Sequence, residues 1–308
     1  MKRLILLPLI LLSTIAKADA PYEPLPLQEH YSILISSLQK EKWNLVVNKG
    51  KFITEVFPFS PFTNEAHYFL GVAYYKKADF ELANRHFTRY MRSDSTPKHF
   101  DEAVRYKFEI AKLFELKKAK KHLMGLKRLP KWIPDRELAI EIFEEVIAAM
   151  PRSEMAAEAL FRKGNLLAIF DEYNESIESY QTVIRRFPKN PYAPDCYVGI
   201  AKVYMDECLS EFPDPDRLNL AELNLERFRQ DFPTEPRLDD VENMIVKMRE
   251  RFAKQLYEIG DYYKRTKKWG AAKVYFDSLL RRYPSTSFAF KAEKHLITVE
   301  NKLAKQKK

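Results

Sequence analysis

Three stretches of this chain repeat one spacing of a glycine, a small residue and an aromatic. Gly71 precedes Ala83 by 12 residues, Gly164 precedes Ser176 by 12 and Gly260 precedes Ala272 by 12; the aromatics Phe87, Tyr180 and Phe276 each follow four residues later. A glycine on one helix and a small residue on the next let two backbones approach, and the ring fills the groove beside them. Pro188 and Pro284 then fall 12 residues after Ser176 and Ala272. Proline cannot continue a helix, so each unit has a firm end.

Asn64–Tyr90 shows the unit best: two amphipathic helices joined by a tight turn at Lys77-Ala78-Asp79. Helix-closing prolines recur at Pro58, Pro151, Pro188, Pro233 and Pro284, and Gly71, Gly164, Gly199 and Gly260 are read as taking the same slot. This is the spacing of a 34-residue helix–turn–helix, the tetratricopeptide repeat. Six repeats are expected, at 28–58, 63–95, 100–151, 153–188, 191–233 and 238–284. The degenerate copies place Leu34 and Val46, Ala111 and Ala139, and Gly199 and Ala221 at the two close-packed positions. Ser287–Leu303, rich in Lys and Glu, reads as the cap a solenoid needs. The expected fold is an all-α, right-handed tetratricopeptide superhelix over residues 28–308, carrying a basic insert at 117–134.

The N-terminus reads as a targeting signal. Lys2 and Arg3 precede an apolar run, Leu4–Ile15, and small residues follow in AKADA. The run is shorter than the ~20 residues a spanning helix needs, which matches a secretory signal peptide over residues 1–18. No Cys stands there to take a lipid. Residues 19–27 form a Pro-rich arm, either flexible or packed on the first repeat. Removing residues 1–18 takes away Lys2, Arg3 and Lys17, lowering the formal charge from +9 to +6. That excess permits contact with anionic surfaces without demanding nucleic acid, and export argues against nucleic acid further. The expected location is the periplasm, peripheral to the outer membrane.

The motifs of catalysis are missing: the sequence has no HExxH, G-x-S-x-G, P-loop, GxGxxG or CxxC. No catalytic residues, cofactor or metal are expected. His67 and His86 share one repeat, but no third ligand is spaced to join them. Cys196 and Cys208 stand 12 residues apart on one expected helix, about 18 Å along it, too far to pair. They read as small buried hydrophobes.

A solenoid offers a concave surface lined by the first helix of each unit. Positions −6, −3, +1, +4 and +5 from the glycine should face it. In the second repeat these are Glu65, Tyr68, Val72, Tyr75 and Lys76; in the first they are Gln28, Tyr31, Ile35, Leu38 and Gln39. Tyr31, Tyr68, Val72, Tyr75 and Lys76 suit an extended peptide with apolar side chains and a carboxylate near Lys76. The other reading is that Tyr31 and Tyr68 pack only against the Pro-rich arm. In the last repeat the same positions give Lys254, Tyr257, Asp261, Lys264 and Arg265, with Lys268 and Trp269 in the turn. Cations beside aromatics suit a protein-docking surface, the other reading being a solvated turn whose Trp269 packs inward. Lys117–Trp132 has seven basic residues and no acidic one. It suits either an anionic membrane surface or acidic partner, or a solvated loop that doubles as a hinge.

Residues 56–99 hold Pro58-Phe59-x-Pro61-Phe62, Ala73-Tyr74-Tyr75-Lys76, Ala78-Asp79 and Pro97-x-His99. They resemble the N-terminal repeats of the BamD family, the tetratricopeptide subunit of the outer-membrane β-barrel assembly machine. Leu256–Thr286 is similar to that family's C-terminal Tyr-Tyr…Trp…Tyr-Pro repeat. The resemblance implies a non-catalytic scaffold. Tyr68, Tyr75 and Lys76 would meet unfolded outer-membrane proteins; Lys264, Arg265 and Trp269 would dock the periplasmic domains of the barrel-forming subunit. Two features depart from the family: the lipid-bearing N-terminal Cys is missing, and inserts stand at 117–134 and 209–216. The alternative is a soluble periplasmic tetratricopeptide adaptor in envelope division or peptidoglycan synthesis. Such adaptors commonly carry an N-terminal coiled coil, and no heptad run precedes Gln28.

Overall fold

The computed structural model describes residues 26–93, 97–118, 121–122, 131–133, 136–209 and 214–306. The expected signal peptide and most of the Pro-rich arm lie outside them, as does most of the basic insert. The described chain folds into six antiparallel helix pairs and one last helix. The pairs are α1 (Leu27–Gln39) with α2 (Trp43–Val56), α3 (Thr63–Lys76) with α4 (Phe80–Met91), and α5 (Phe100–Glu115) with α6 (Arg136–Ala149). Then follow α7 (Glu154–Ile169) with α8 (Tyr173–Arg186), α9 (Tyr192–Cys208) with α10 (Asp216–Asp231), α11 (Leu238–Arg265) with α12 (Trp269–Arg282), and finally α13 (Ser287–Gln306). Each helix packs on its neighbours in sequence, and the first helices of successive pairs also meet along α5, α7, α9, α11 and α13. Among the described residues no helix is long and apolar enough to cross a membrane.

Two local devices stop these helices. The first helix of five pairs ends on a residue in the left-handed region: Glu41, Ala78, Lys117, Asp171 or Lys267, with φ between 52° and 61°. The next residue's N–H reaches back over the last turn, as in Asp79 N to Tyr74 O at 2.9 Å and Lys268 N to Tyr263 O at 2.9 Å. That bond satisfies a carbonyl the helix end would leave unpaired. None of the five is glycine, so each turn carries about 1 kcal/mol of backbone strain, held by the packing on both sides. The second helices stop differently. Phe57, Phe187, Phe232 and Tyr283 each precede a proline and adopt φ from −138° to −125° with ψ of 53–67°. Proline's ring denies the preceding residue the helical region.

The left-handed residue sets the register of each pair. Leu34, Gly71, Ile110, Gly164 and Gly260 each stand seven residues before it. The close-packed position of the third repeat is therefore Ile110 and not Ala111, although both are buried. At the three glycines the expected packing is present: a Cβ would lie 2.6 Å from the Phe87 ring at Gly71, 2.7 Å from Tyr180 at Gly164 and 2.7 Å from Phe276 at Gly260. Gly199 differs from its expected role. Its Cβ would meet Tyr180 of the preceding repeat at 2.7 Å, so that ring lies between two glycines. Ser176 secures the same junction by donating from Oγ to the Gly164 carbonyl at 2.8 Å.

The core falls into two clusters that meet in α7, where Ala159 and Leu166 face the N-terminal half and Leu160 the C-terminal half. Helix α11 runs 28 residues without a turn. Its first half buries Val241, Ile245 and Met248, and its second half carries Gly260 against α12. The basic insert holds the two strands among the described residues. β1 (Lys121–His122) and β2 (Lys131–Ile133) pair antiparallel, with Lys121 opposite Ile133. At its base the insert is thus a short ladder rather than a plain loop, while residues 123–130 lie outside the described residues.

Candidate functional site

The first helices of the N-terminal repeats bring the predicted peptide-binding residues together but use three of them internally. The Tyr68 side chain is buried, its ring stacks on His99 at 4.3 Å and 9°, and its hydroxyl donates to Glu102 Oε2 at 2.5 Å. Tyr31 repeats the arrangement one unit earlier: its ring stacks on Phe62 at 4.3 Å and its hydroxyl donates to Glu65. Burial, with the carboxylate acceptor second, pushes both phenols above their ordinary range. Each tyrosine spans to a carboxylate 34 residues on, one repeat length. The expectation that Tyr68 lines an open groove is therefore corrected: it joins one repeat to the next. Val72 is buried beside it.

What remains exposed on this face is smaller. Tyr75 is half-buried, edge-on to Tyr106 at 4.9 Å and to Phe80 at 5.5 Å, and Lys76 is exposed beside it. Tyr106 was missed by sequence reasoning. It comes from α5 and stacks on Phe87 at 5.1 Å and 8°. Tyr106 stands four residues before Ile110, outside the five groove offsets, so those offsets miss it.

At the slot of Tyr31 and Tyr68, ten residues before the left-handed turn, α5 carries Lys107. Its side chain is fully buried, donates to Asn84 Oδ1 at 2.5 Å and Thr88 Oγ1 at 2.6 Å, and pairs with Glu145. Burial holds its pKa below the ordinary lysine value, opposed by Glu145. His67 and His86 also meet, Nδ1 to Nδ1 at 3.2 Å. Among the described residues no group of three His, Cys, Asp or Glu side chains is placed to hold a metal.

At the C-terminal end the predicted docking residues divide. Tyr257, Asp261 and Lys264 form one network with the last helix. Lys264 Nζ meets Asp261 at 2.8 Å and His295 Nδ1 at 2.9 Å, and His295 Nε2 meets the Tyr257 hydroxyl at 2.8 Å. The Lys264 hydrogen bond holds the Asp261 carboxyl below its usual range. These three residues fasten α13 to α11. Arg265 and Lys268 are exposed, Arg265 pairing with Asp261 at 3.1 Å and Lys268 standing over the Tyr263 ring at 5.9 Å. Trp269 is half-buried against the C-terminal core.

Cys196 and Cys208 are free and buried, and burial raises both thiols, Cys208 to about 11. Both are therefore poor nucleophiles.

Tetratricopeptide-repeat models match residues 18–163, 157–190 and 256–286. Together with the helix pairs they define the chain as an all-α tetratricopeptide-repeat superhelix, a scaffold suited to binding other proteins. The chain is also similar to several solved structures at low identity. The MamA protein is 15% identical, covering 70% of this chain and 94% of that one, with a TM-score of 0.37. A tetratricopeptide repeat protein from Parabacteroides merdae is 12% identical over 89% of this chain and 98% of its own, with a TM-score of 0.35. A thermophilic repeat protein of Thermus thermophilus is 12% identical over 72% and 98%, with a TM-score of 0.31.

Proposed function

We propose that this chain is an exported, non-catalytic scaffold of outer-membrane β-barrel assembly, working in the periplasm beside the outer membrane. Its N-terminal repeats would receive unfolded barrel proteins, and its C-terminal repeats would dock the barrel-forming subunit. The observation that carries the reading is the surface around Tyr75. Two half-buried aromatics from successive repeats, Tyr75 and Tyr106, stand edge-on at 4.9 Å with the exposed Lys76 alongside. An aromatic or aliphatic side chain fits against such rings, and a carboxylate pairs with the ammonium, which is what an extended apolar peptide end supplies. The resemblance of residues 56–99 and 256–286 to the BamD family supports the same assignment, as does the signal-like N-terminus. The peptide surface is narrower than the sequence indicates, because Tyr31, Tyr68 and Val72 serve packing. Docking at the other end falls to Arg265 and Lys268, the exposed members of their group.

The test is capture of the tagged mature protein from solubilised envelopes, with the bound proteins identified. Recovery of the barrel-forming subunit is expected. Recovery of division or peptidoglycan-synthesis proteins without that subunit would replace this reading with a periplasmic adaptor.

A further inference from the structure

Helices α2, α3 and α4 line a cleft of about 330 Å³ on the N-terminal half, with Lys51, Arg85 and Arg89 exposed at its mouth. Its charged lining is mostly cationic. Lys51 comes from α2, and Arg85 and Arg89 stand one turn apart on α4; Glu55 is the acidic residue among the lining side chains. Arg85 also reaches Glu81 at 3.3 Å, whereas among the described residues neither Lys51 nor Arg89 forms an ion pair. Lys51 instead stands 5.9 Å from the Tyr74 ring centroid, on the cleft wall.

The same cleft is lined by the paired imidazoles of His67 and His86, whose Nδ1 atoms are 3.2 Å apart. That separation resembles the ~3.3 Å between two nitrogen ligands of a tetrahedral metal. The charges exclude that use, because three cations face the pair and no third ligand joins it among the described residues. Burial and the neighbouring cations keep both rings neutral, His67 titrating at about 4 and His86 at about 3. Two neutral imidazoles bonded through Nδ1 share one proton between them, so the accepting ring carries its own proton on Nε2. It is a neutral donor within a positive site.

We propose that this cleft binds a compact oxyanion of the phosphate-monoester class. Guanidinium forks recognise tetrahedral oxyanions by paired N–H donors, and two of them one turn apart with an opposing ammonium make a three-sided cradle. Three cations against Glu55, and against the Glu81 that Arg85 already pairs with, leave the site with an excess of positive charge, which an oxyanion neutralises. The volume lies at the lower end of the ~300–1,000 Å³ typical of small-molecule sites, so the phosphate belongs to a small molecule or to a lipid headgroup reaching in from the surface.

The experiment follows the His67 and His86 ring resonances by NMR while the full mature chain is titrated with inorganic phosphate, against chloride at matched ionic strength. A parallel arm uses phosphatidylcholine vesicles doped with phosphatidic acid. Saturable shifts of both rings are expected with phosphate, and an R85Q/R89Q variant should bind at least tenfold more weakly, while a K189Q/K202Q control, altered at two exposed lysines, binds as the unaltered protein does. Saturation by free phosphate assigns a soluble ligand; saturation by the vesicles alone assigns a headgroup. If R85Q/R89Q is misfolded by circular dichroism, the ring shifts of the unaltered protein decide. Shifts no larger than those from chloride in both arms, or unchanged binding by a folded R85Q/R89Q, overturn the proposal.

Discussion

The Tyr68 hydroxyl donates to Glu102 at 2.5 Å across one repeat length, from α3 to the first turn of α5. With Tyr31 and Glu65 it makes a strut that recurs along the inner helices, where sequence reasoning had placed a ligand. Tyr68→Phe keeps the ring on His99 and loses only this bond. A hydrogen bond to a charged acceptor contributes about 1.5–3 kcal/mol, but the Glu102 side chain is 58% exposed, so the loss in urea denaturation should be about 1 kcal/mol. The Tyr68 bond holds the Glu102 carboxyl below its ordinary value. A lowered carboxyl pKa stabilises above the unfolded value, about 4.3, and that stability is lost as pH falls through the folded one. The gap between the unaltered protein and Tyr68→Phe should therefore narrow below about pH 4. A gap that stays constant to pH 3 would show that the carboxylate is not the acceptor.

The glycines make a controlled comparison. Gly71→Ala, Gly164→Ala and Gly260→Ala each drive a Cβ to within 2.6–2.7 Å of a buried ring. Overpacking of about 1–3 kcal/mol exceeds the ~1 kcal/mol gained in helix propensity, so all three should destabilise in thermal or chemical denaturation. Gly270 has nothing within 4 Å of its Cβ position and lies in the first turn of α12. Gly270→Ala should stabilise by up to ~1 kcal/mol.

Lys107 occupies the strut position of the third repeat with a buried charge. Lys107→Ala takes the buried donor from Asn84 and Thr88, leaves Glu145 only Thr88 and the exposed Arg92, and should cost about 2–4 kcal/mol in equilibrium denaturation. Lys107→Met loses the same donor but fills the space, so it should cost less than Lys107→Ala. Burial lowers the folded pKa of Lys107 below the ~10.4 of the unfolded chain. Between those two values the unfolded state holds more protons, so stability conferred at this position rises with pH. The unaltered protein should gain on Lys107→Met as pH climbs toward 10.4; a parallel pair of pH–stability curves would refute the assignment.

The repeat architecture was legible because its signals are local: a glycine, a small residue and a ring at fixed offsets, and prolines that stop helices. Degenerate units kept the helices and lost the register. Ile110 rather than Ala111 holds the third close-packed position, and Gly199 accepts the ring of the preceding repeat. Local offsets name the face of a helix but not its occupant. Tyr68 does lie on the side of α3 that meets the next repeat, and Glu102 had already taken its hydroxyl. The same holds for Tyr257, Asp261 and Lys264, which α13 engages through His295. The meeting of His67 with His86 needed the angle between α3 and α4, which no spacing rule supplies.

Peptide binding should be lost by a different route from stability. Tyr75→Ala and Lys76→Glu change a half-buried ring and an exposed cation. Each should weaken binding of a C-terminal barrel peptide several-fold in a fluorescence titration, with Tm unchanged for Lys76→Glu. Tyr68→Phe should leave that affinity within twofold.

The barrel-assembly assignment is tested most directly by titrating the purified mature protein with the periplasmic domains of a barrel-forming assembly subunit. Saturable binding is expected, weakened at least fivefold by Arg265→Glu with Lys268→Glu, about 1 kcal/mol or more, with Tm lowered only slightly because both side chains are exposed and the Arg265–Asp261 pair is a surface one. Lys264→Glu should lower Tm more, since Lys264 fastens α13 through Asp261 and His295. No saturable binding by the unaltered protein, or binding indifferent to the double reversal, would contradict the assignment.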